Sequence, residues 1–191
     1  MPAYSEEEII AGCRKKNRTF QEHLYKVYYS MYLKVCARYA KNMMDAEQLL
    51  NDGFLKIFTQ IDKFNNVGSF AGWMHRIMVN TCLDYLKSNY LKQEMVMHVN
   101  ALPPEETNLS VSNYGLENIE FKEMVQIIQS LPAMTRTVFN LFVFEGFNHK
   151  EIGQQLDSTI STSSWHVHQA RNILQKKIKD SKQKTKTYEA K

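Results

Sequence analysis

The sequence predicts an all-α fold: two small helical domains joined by a flexible linker. Three observations lead there. Turn formers are scarce, with 7 Gly and 4 Pro in 191 residues, too few for a β-rich fold dense in tight turns. Leu, Lys, Gln, Glu and Met, which lose little rotamer freedom in a helix, are plentiful. Apolar residues recur at three- and four-residue steps along most of the chain. The hydrophobic share of 43% is enough for a core, and the length suits one or two small domains.

Residues 1–90 read as the first domain. Ser5-Glu6-Glu7-Glu8 opens a short helix, with a capping residue and a Glu three positions on, before Ile9 and Ile10. That helix ends between Gly12 and Lys16. A second helix starts near Thr19 and carries Phe20, Leu24, Val27, Tyr28, Met31, Val35 and Tyr39 on one stripe. The pattern breaks at Asn42-Met43-Met44, and Asp45 is expected to cap the third helix. There Leu49, Leu50, Phe54, Ile57, Phe58 and Ile61 share a face. Lys63-Phe64 leads into Asn65-Asn66-Val67-Gly68-Ser69, a loop by composition, and Ser69 is a fitting N-cap for the fourth helix. On that helix Trp73, Ile77, Asn80, Thr81 and Asp84 form a row, with Phe70, Met74, Met78, Leu83 and Leu86 as apolar surface.

Residues 91–115 read as an acidic linker. Pro103-Pro104-Glu105-Glu106 and the Ser/Asn-rich run from Leu109 to Gly115 lack helical periodicity. Residues 116–179 read as a second helical domain. One helix carries Ile119, Val125, Ile128 and Leu131 and stops at Pro132. The next covers Thr135–Phe144 and ends at Gly146. Asn148 caps a short helix, His149–Leu156; Asp157-Ser158-Thr159 makes a turn. The last helix is expected to bury Ile160, Val167, Ala170, Leu174 and Ile178. Residues 180–191 are a basic tail expected to fray.

The net charge of +4 hides an asymmetry. Residues 1–90 carry +3, residues 91–130 carry −4 and residues 131–191 carry +5. Two basic modules flank an acidic piece, which permits nucleic-acid binding without requiring it. Cys13, Cys36 and Cys82 have neither disulfide-framework nor zinc-ligand spacing, so no metal site is expected, and reduced, cytoplasmic surroundings are the simplest reading. The acidic N-terminus does not read as a leader, and no apolar run is long enough to insert in a membrane. An enzyme is not expected, nor any cofactor. There is no Gly-rich phosphate loop and no nucleophile elbow. The rings of His166 and His168 diverge by roughly 200° on a helix.

Two features carry chemistry. From Lys63 to Lys87, the aromatic residues Phe64, Phe70 and Trp73 lie beside Arg76, Asn80 and Lys87. Such a mixture offers faces for bases and charge for phosphates, as single-stranded nucleic acid needs. The same residues also suit a core with a solvated charged rim. Further on, a short helix, a tight turn and a longer helix in a basic domain form a helix-turn-helix pattern.

The order of these features, and the blocks DAEQLLNDGFLKIF, SFAGWMHRIMVNTCLDYLKS and LPAMTRTVFNLFVFEGFNHKEIGQQL, resemble bacterial RNA polymerase sigma factors of the extracytoplasmic-function type. The resemblance covers nearly the whole chain. It implies a promoter-directing factor that binds core polymerase through its beta and beta-prime subunits, melts promoter DNA and initiates transcription. Residues 1–90 would be the region 2-like domain and 116–179 the region 4-like domain. It implies polymerase contacts at Asp45, Gln48, Asn51, Asp52, Leu55 and Lys56. It implies capture of the melted minus-ten strand by Lys63, Asn65, Asn66, Ser69, Phe70, Trp73, Arg76 and Asn80, with one base flipped into the loop. An anti-sigma partner is implied as well. The rival reading is a helix-turn-helix regulator acting without polymerase.

The reading helix departs from the family. The family runs Gly-Ile-Ser at the turn and then carries basic residues. Here Leu156 is followed by DSTISTSSWHVHQAR. Either Asp157 takes the Gly place without a gap and Ser163 an apolar place, or Ile160-Ser161 is the displaced Ile-Ser pair and the turn has gained two residues. In both, no Lys or Arg lies between Lys150 and Arg171, although phosphate contacts supply most affinity. The contacts of this domain with DNA or a partner fall to His149, Lys150, Ser161, Thr162, Ser164, Trp165, His166, His168 and Arg171. Trp165 lies off the buried row and either anchors a protein partner or repacks the turn. A separate DNA-targeting protein, RNA-guided or other, would then share promoter choice.

Overall fold

The computed structural model describes residues 4–97 and 119–189, with side chains described for 4–88 and 121–179. The described residues are all-helical, without a strand. The chain divides into two units, Met1–Glu117 and Asn118–Lys191. Of the linker expected over 91–115, residues 91–97 are helix and continue α4, and 98–115 lie outside the described residues.

In the first unit, α1 (Glu6–Arg14) begins with a reciprocal capping box between Ser5 and Glu8. Lys16, at φ 56°, turns the chain into α2 (Arg18–Tyr39), capped by Asn17. α3 (Met43–Gln60) is capped by Asn42, whose side chain accepts the Asp45 N–H at 2.9 Å. Asp45 is therefore in the first turn rather than at the cap expected for it. There its carboxylate favours the helix N-terminus. A 3₁₀ turn, Ile61–Lys63, leads to the loop. Ser69 then accepts the Gly72 N–H at 3.0 Å to start α4, Phe70–Met97, which continues past residue 90.

The core of this unit lies among α2, α3 and α4. Leu24, Tyr32, Leu33, Cys36 and Tyr39 meet Leu49, Leu50, Phe54 and Ile57, and Met74, Met78 and Leu83 close it. Gly53 lets α3 and α4 approach, since a Cβ there would sit 2.4 Å from the Met78 sulfur. On α2 the expected stripe is displaced: Val27 and Met31 are 57% and 43% exposed. The helix carries apolar residues around most of its circumference, so periodicity did not single out its buried face. Cys13, Cys36 and Cys82 are buried free thiols, and burial pushes Cys13 up to about 11.

In the second unit, α5 (Ile119–Gln129), α6 (Ala133–Val143), α7 (His149–Leu156) and α8 (Ile160–Glu189) follow one another. Leu131, Phe139 and Ala170 form a cluster, with Ile173 and Leu174 against it. Gly146, at φ 74°, lets the Phe147 N–H reach back to the Leu141 carbonyl at 2.9 Å. Asn148 and Glu151 form a second capping box. The buried row of α8 is Ser163, Val167 and Ala170. Ile160 and Ile178, expected there, stay exposed although both lie on the Val167 side of the helix, so their place along the axis, at its first residue and towards its far end, leaves them uncovered. Helix continues through 180–189, where a fraying tail was expected; Lys and Gln favour it.

The turn between α7 and α8 has three residues. Asp157 is left-handed at φ 52°, and Thr159 accepts the Thr162 N–H at 3.1 Å as a cap. Asp157 thus takes a conformation that glycine favours, and Ser163 is buried, features that the gapless register accommodates. The Ser158 N–H donates to the Gly153 carbonyl at 2.8 Å. A Cβ on Gly153 would meet the Ser158 carbonyl oxygen at 2.7 Å. Gly153→Ala is expected to destabilise the second unit by about 1–3 kcal/mol through this overpacking. Denaturant unfolding of the variant checks it.

Candidate nucleic-acid interface

The loop after α3 is built from its rings outward. Phe64 and Phe70 are buried, and Trp73 is half-buried over them. The rings of Phe70 and Trp73 stack at 5.7 Å with 16° between planes, and Phe64 lies 5.5 Å from Trp73. This apolar base fixes the ends of the loop. Asn65 accepts the Val67 N–H at 3.3 Å, Asn66 is left-handed at φ 60° and Gly68 follows at φ 80°. Asparagine tolerates that conformation better than most residues. Lys63, Asn65, Asn66 and Ser69 are exposed on the loop. On α4, Arg76 and Asn80 are exposed and share a face with Trp73. The structure thus brings seven of the eight predicted residues to one accessible surface.

Phe70 is the exception. At 1% exposure its ring is packing and offers no face to a base. Two residues that the sequence does not single out adjoin this surface. Val67 is 78% exposed at the loop tip, between two positive-φ residues; an apolar residue set between Asn-Asn and Gly was the available signal. Arg14, at the end of α1, donates from its guanidinium to the Phe64 carbonyl, a contact fifty positions away that no local pattern reveals.

The six residues expected to touch polymerase divide into two rows on α3. Gln48, Asn51 and Leu55 point away from the core, with Met44 beside them. Met44 and Leu55 are 65% and 63% exposed, an unusual pair on one stripe. Asp45, Asp52 and Lys56 form the flanking row towards α4. Tyr85 donates to the Asp45 carboxylate, and Lys56 pairs with Asp84 at 3.0 Å. Only Asp52 of that row is exposed without such a contact.

On the helix-turn-helix, Lys150, Ser161, Thr162, Ser164, Trp165, His168 and Arg171 are exposed. Trp165 is 56% exposed, opposite the buried row, which removes the reading that it repacks the turn. His149 and His166 face inwards instead. His149 stacks on Phe142 at 4.5 Å, and its Nδ1 lies 3.0 Å from Oγ of fully buried Ser163. It ties α7 to α6 and α8. His166 Nδ1 lies 3.0 Å from the Thr135 hydroxyl, and burial holds its pKa below 6.5. The folded state then binds fewer protons than the unfolded one. Stability of this unit falls as pH drops through 6.5 towards the lower folded value. His166→Gln is expected to flatten that slope, as urea midpoints between pH 5 and 8 would read.

A helical unit with an aromatic-floored amide loop, followed by a helix-turn-helix unit, defines a DNA-handling protein of transcription. Residues 24–90 match the family model of sigma-70 region 2, and residues 121–174 match that of sigma-70 region 4. The chain is 25% identical over 168 residues to the ECF RNA polymerase sigma factor SigW of Bacillus subtilis, covering 81% of this chain and 86% of that one. It is 26% identical over 159 residues to SigE of Mycolicibacterium smegmatis, where it covers 81% of this chain but spans only 58% of the relative's length. The solved structure of the sigma factor RpoE with the anti-sigma factor NepR, from Bartonella quintana, shares the fold with a TM-score of 0.53 at 21% identity, over 85% of this chain and 98% of that one.

This chain belongs to the sigma-70 family, as an extracytoplasmic-function sigma factor. It is a promoter-directing factor of transcription initiation, and a helix-turn-helix regulator working without polymerase is not favoured. Among the described residues no helix is long and apolar enough to cross a membrane.

Proposed function

We propose that the chain binds core RNA polymerase, across its beta and beta-prime subunits, through the outward face of α3, and captures the melted minus-ten strand with the loop before α4. The observation that carries this is the separation of two surfaces on one unit. The α3 face, with Met44, Gln48, Asn51 and Leu55 exposed, suits a protein groove. The loop offers exposed amides over an aromatic floor, with Lys63 and Arg76 beside it, and suits an unstacked base and its phosphates. Flipping one base costs a few kcal/mol, and stacking or edge hydrogen bonds return about 1–3 kcal/mol each. The acidic linker and the second unit would complete the promoter complex. An anti-sigma factor is the regulator that fits, since the Bartonella RpoE was solved with one.

The second unit favours one addition. The exposed row of α8 from Ser161 to His168 carries no Lys or Arg, and Trp165 stands at its centre. A reading face without cations binds DNA weakly. We place part of the promoter choice with a separate DNA-targeting protein, engaged at Trp165. Transcription of promoter libraries by core polymerase and this chain alone tests both proposals, with start sites mapped. Open complexes with a shared minus-ten sequence and little minus-thirty-five preference are expected. No opening on any template would refute the first proposal, and strong minus-thirty-five selection the second.

A further inference from the structure

We infer that α1, through Arg14, is a positioning element for the minus-ten loop, so that base selectivity depends on a residue outside the matched region 2. The inference rests on the loop reading proposed above. The region 2 match begins at residue 24, and α1 ends at Arg14.

Three observations carry it. First, the end of α1 is held firmly. Gly12 lies so close to α2 that a Cβ would fall 2.2 Å from the Phe20 ring, and the Asn17 N–H donates to the Gly12 carbonyl at 3.0 Å. Second, the Arg14 guanidinium donates to the carbonyl of Phe64, the residue before Asn65. The Phe64 ring is buried against Phe70 and Trp73. The peptide that launches the loop is therefore gripped on both sides, by rings and by a cation. Third, a pocket of about 380 Å³, open to solvent and with Glu6 and His23 beside Ile9, Leu24, Tyr28 and Phe70 in its lining, lies between α1 and α2, and Arg14 adds a direct link from α1 to the peptide where the loop begins.

The consequence is geometric. Asn66 and Gly68 hold positive φ, and Val67 stands out between them. A shift of the Phe64 peptide would turn this short segment as a unit and move the amides from a base edge. Arg14 touches no base in this scheme; it sets where the amides lie.

The test uses full-length chain in holoenzyme on a promoter library randomised across the minus-ten region. Arg14→Ala is expected to lower the preference at the base captured by the loop about fivefold, the scale of one lost hydrogen bond. Core affinity should stay at the wild-type level, the unfolding midpoint should fall by no more than the loss of one hydrogen bond accounts for, and Arg14→Lys should restore part of the preference. If wild-type holoenzyme shows no minus-ten preference, the loop reading itself fails, and this inference with it. If wild type is selective and Arg14→Ala is equally selective, only the inference is overturned. A uniform loss on every template, with an unfolding midpoint lowered by more than one hydrogen bond accounts for, also overturns it, because a merely structural arginine would behave that way.

Discussion

Leu55→Asp is expected to weaken binding to core polymerase by at least tenfold while leaving the fold intact. Leu55 is 63% exposed and shares the outward stripe of α3 with Met44, Gln48 and Asn51. An exposed leucine makes few contacts within its own chain, so its replacement should change stability by no more than about 0.5 kcal/mol. At an interface the same site buries an apolar anchor. An aspartate would place an unpaired carboxylate there, and losses of 2 kcal/mol or more are usual at such positions. Asp52→Lys should act in the same direction. Asp52 is exposed and outside the contacts that engage Asp45 and Lys56, so its charge is free to meet a partner. Co-purification or anisotropy titration with core polymerase reads both variants. Wild-type affinity in both would remove α3 as the docking surface.

The residues of these surfaces were legible in the sequence to different depths. The α3 face follows from a clean period: Leu49, Leu50, Phe54 and Ile57 mark one side as core, and the opposite side follows. The loop is equally local, since Asn65 to Ser69 breaks two periodic runs. α2 was harder, because apolar residues occur around most of it and only packing chooses among them. Phe70 shows a similar limit. An aromatic next to a loop suits a base or a core alike, and its contacts with Phe64 and Trp73 decide for the core. His149 in α7 and His166 in α8 belong to a helix-turn-helix that pattern alone assigns to DNA, yet each turns its ring onto a neighbouring helix. Asp45 and Asn42 were confused because both cap well; backbone geometry separates them, with Asn42 extended and Asp45 already helical. Arg14 was out of reach, because its partner is a backbone carbonyl in another segment.

Asn66→Gly is expected to reduce open-complex formation about tenfold, with core binding unchanged. Glycine is the cleaner substitution because Asn66 sits at φ 60°. Alanine there would add backbone strain, whereas glycine keeps the conformation and removes only the amide. An amide with both its donor and acceptor on a base edge is worth about 1–3 kcal/mol of discrimination, and tenfold lies within that range. Trp73→Ala should lose opening too, but it also strips a ring from Phe64 and Phe70. Its loss therefore counts only beside a measured unfolding midpoint. Opening is read by fluorescence of a base analogue in the melted region, and binding by titration against core. Wild-type opening by Asn66→Gly would take the base-contacting role from this loop. A parallel fall in binding and opening would mean that α3 and the loop act as one surface. The contrast with Leu55→Asp makes the pair informative: one variant should lose binding and opening together, the other should keep its binding and lose opening.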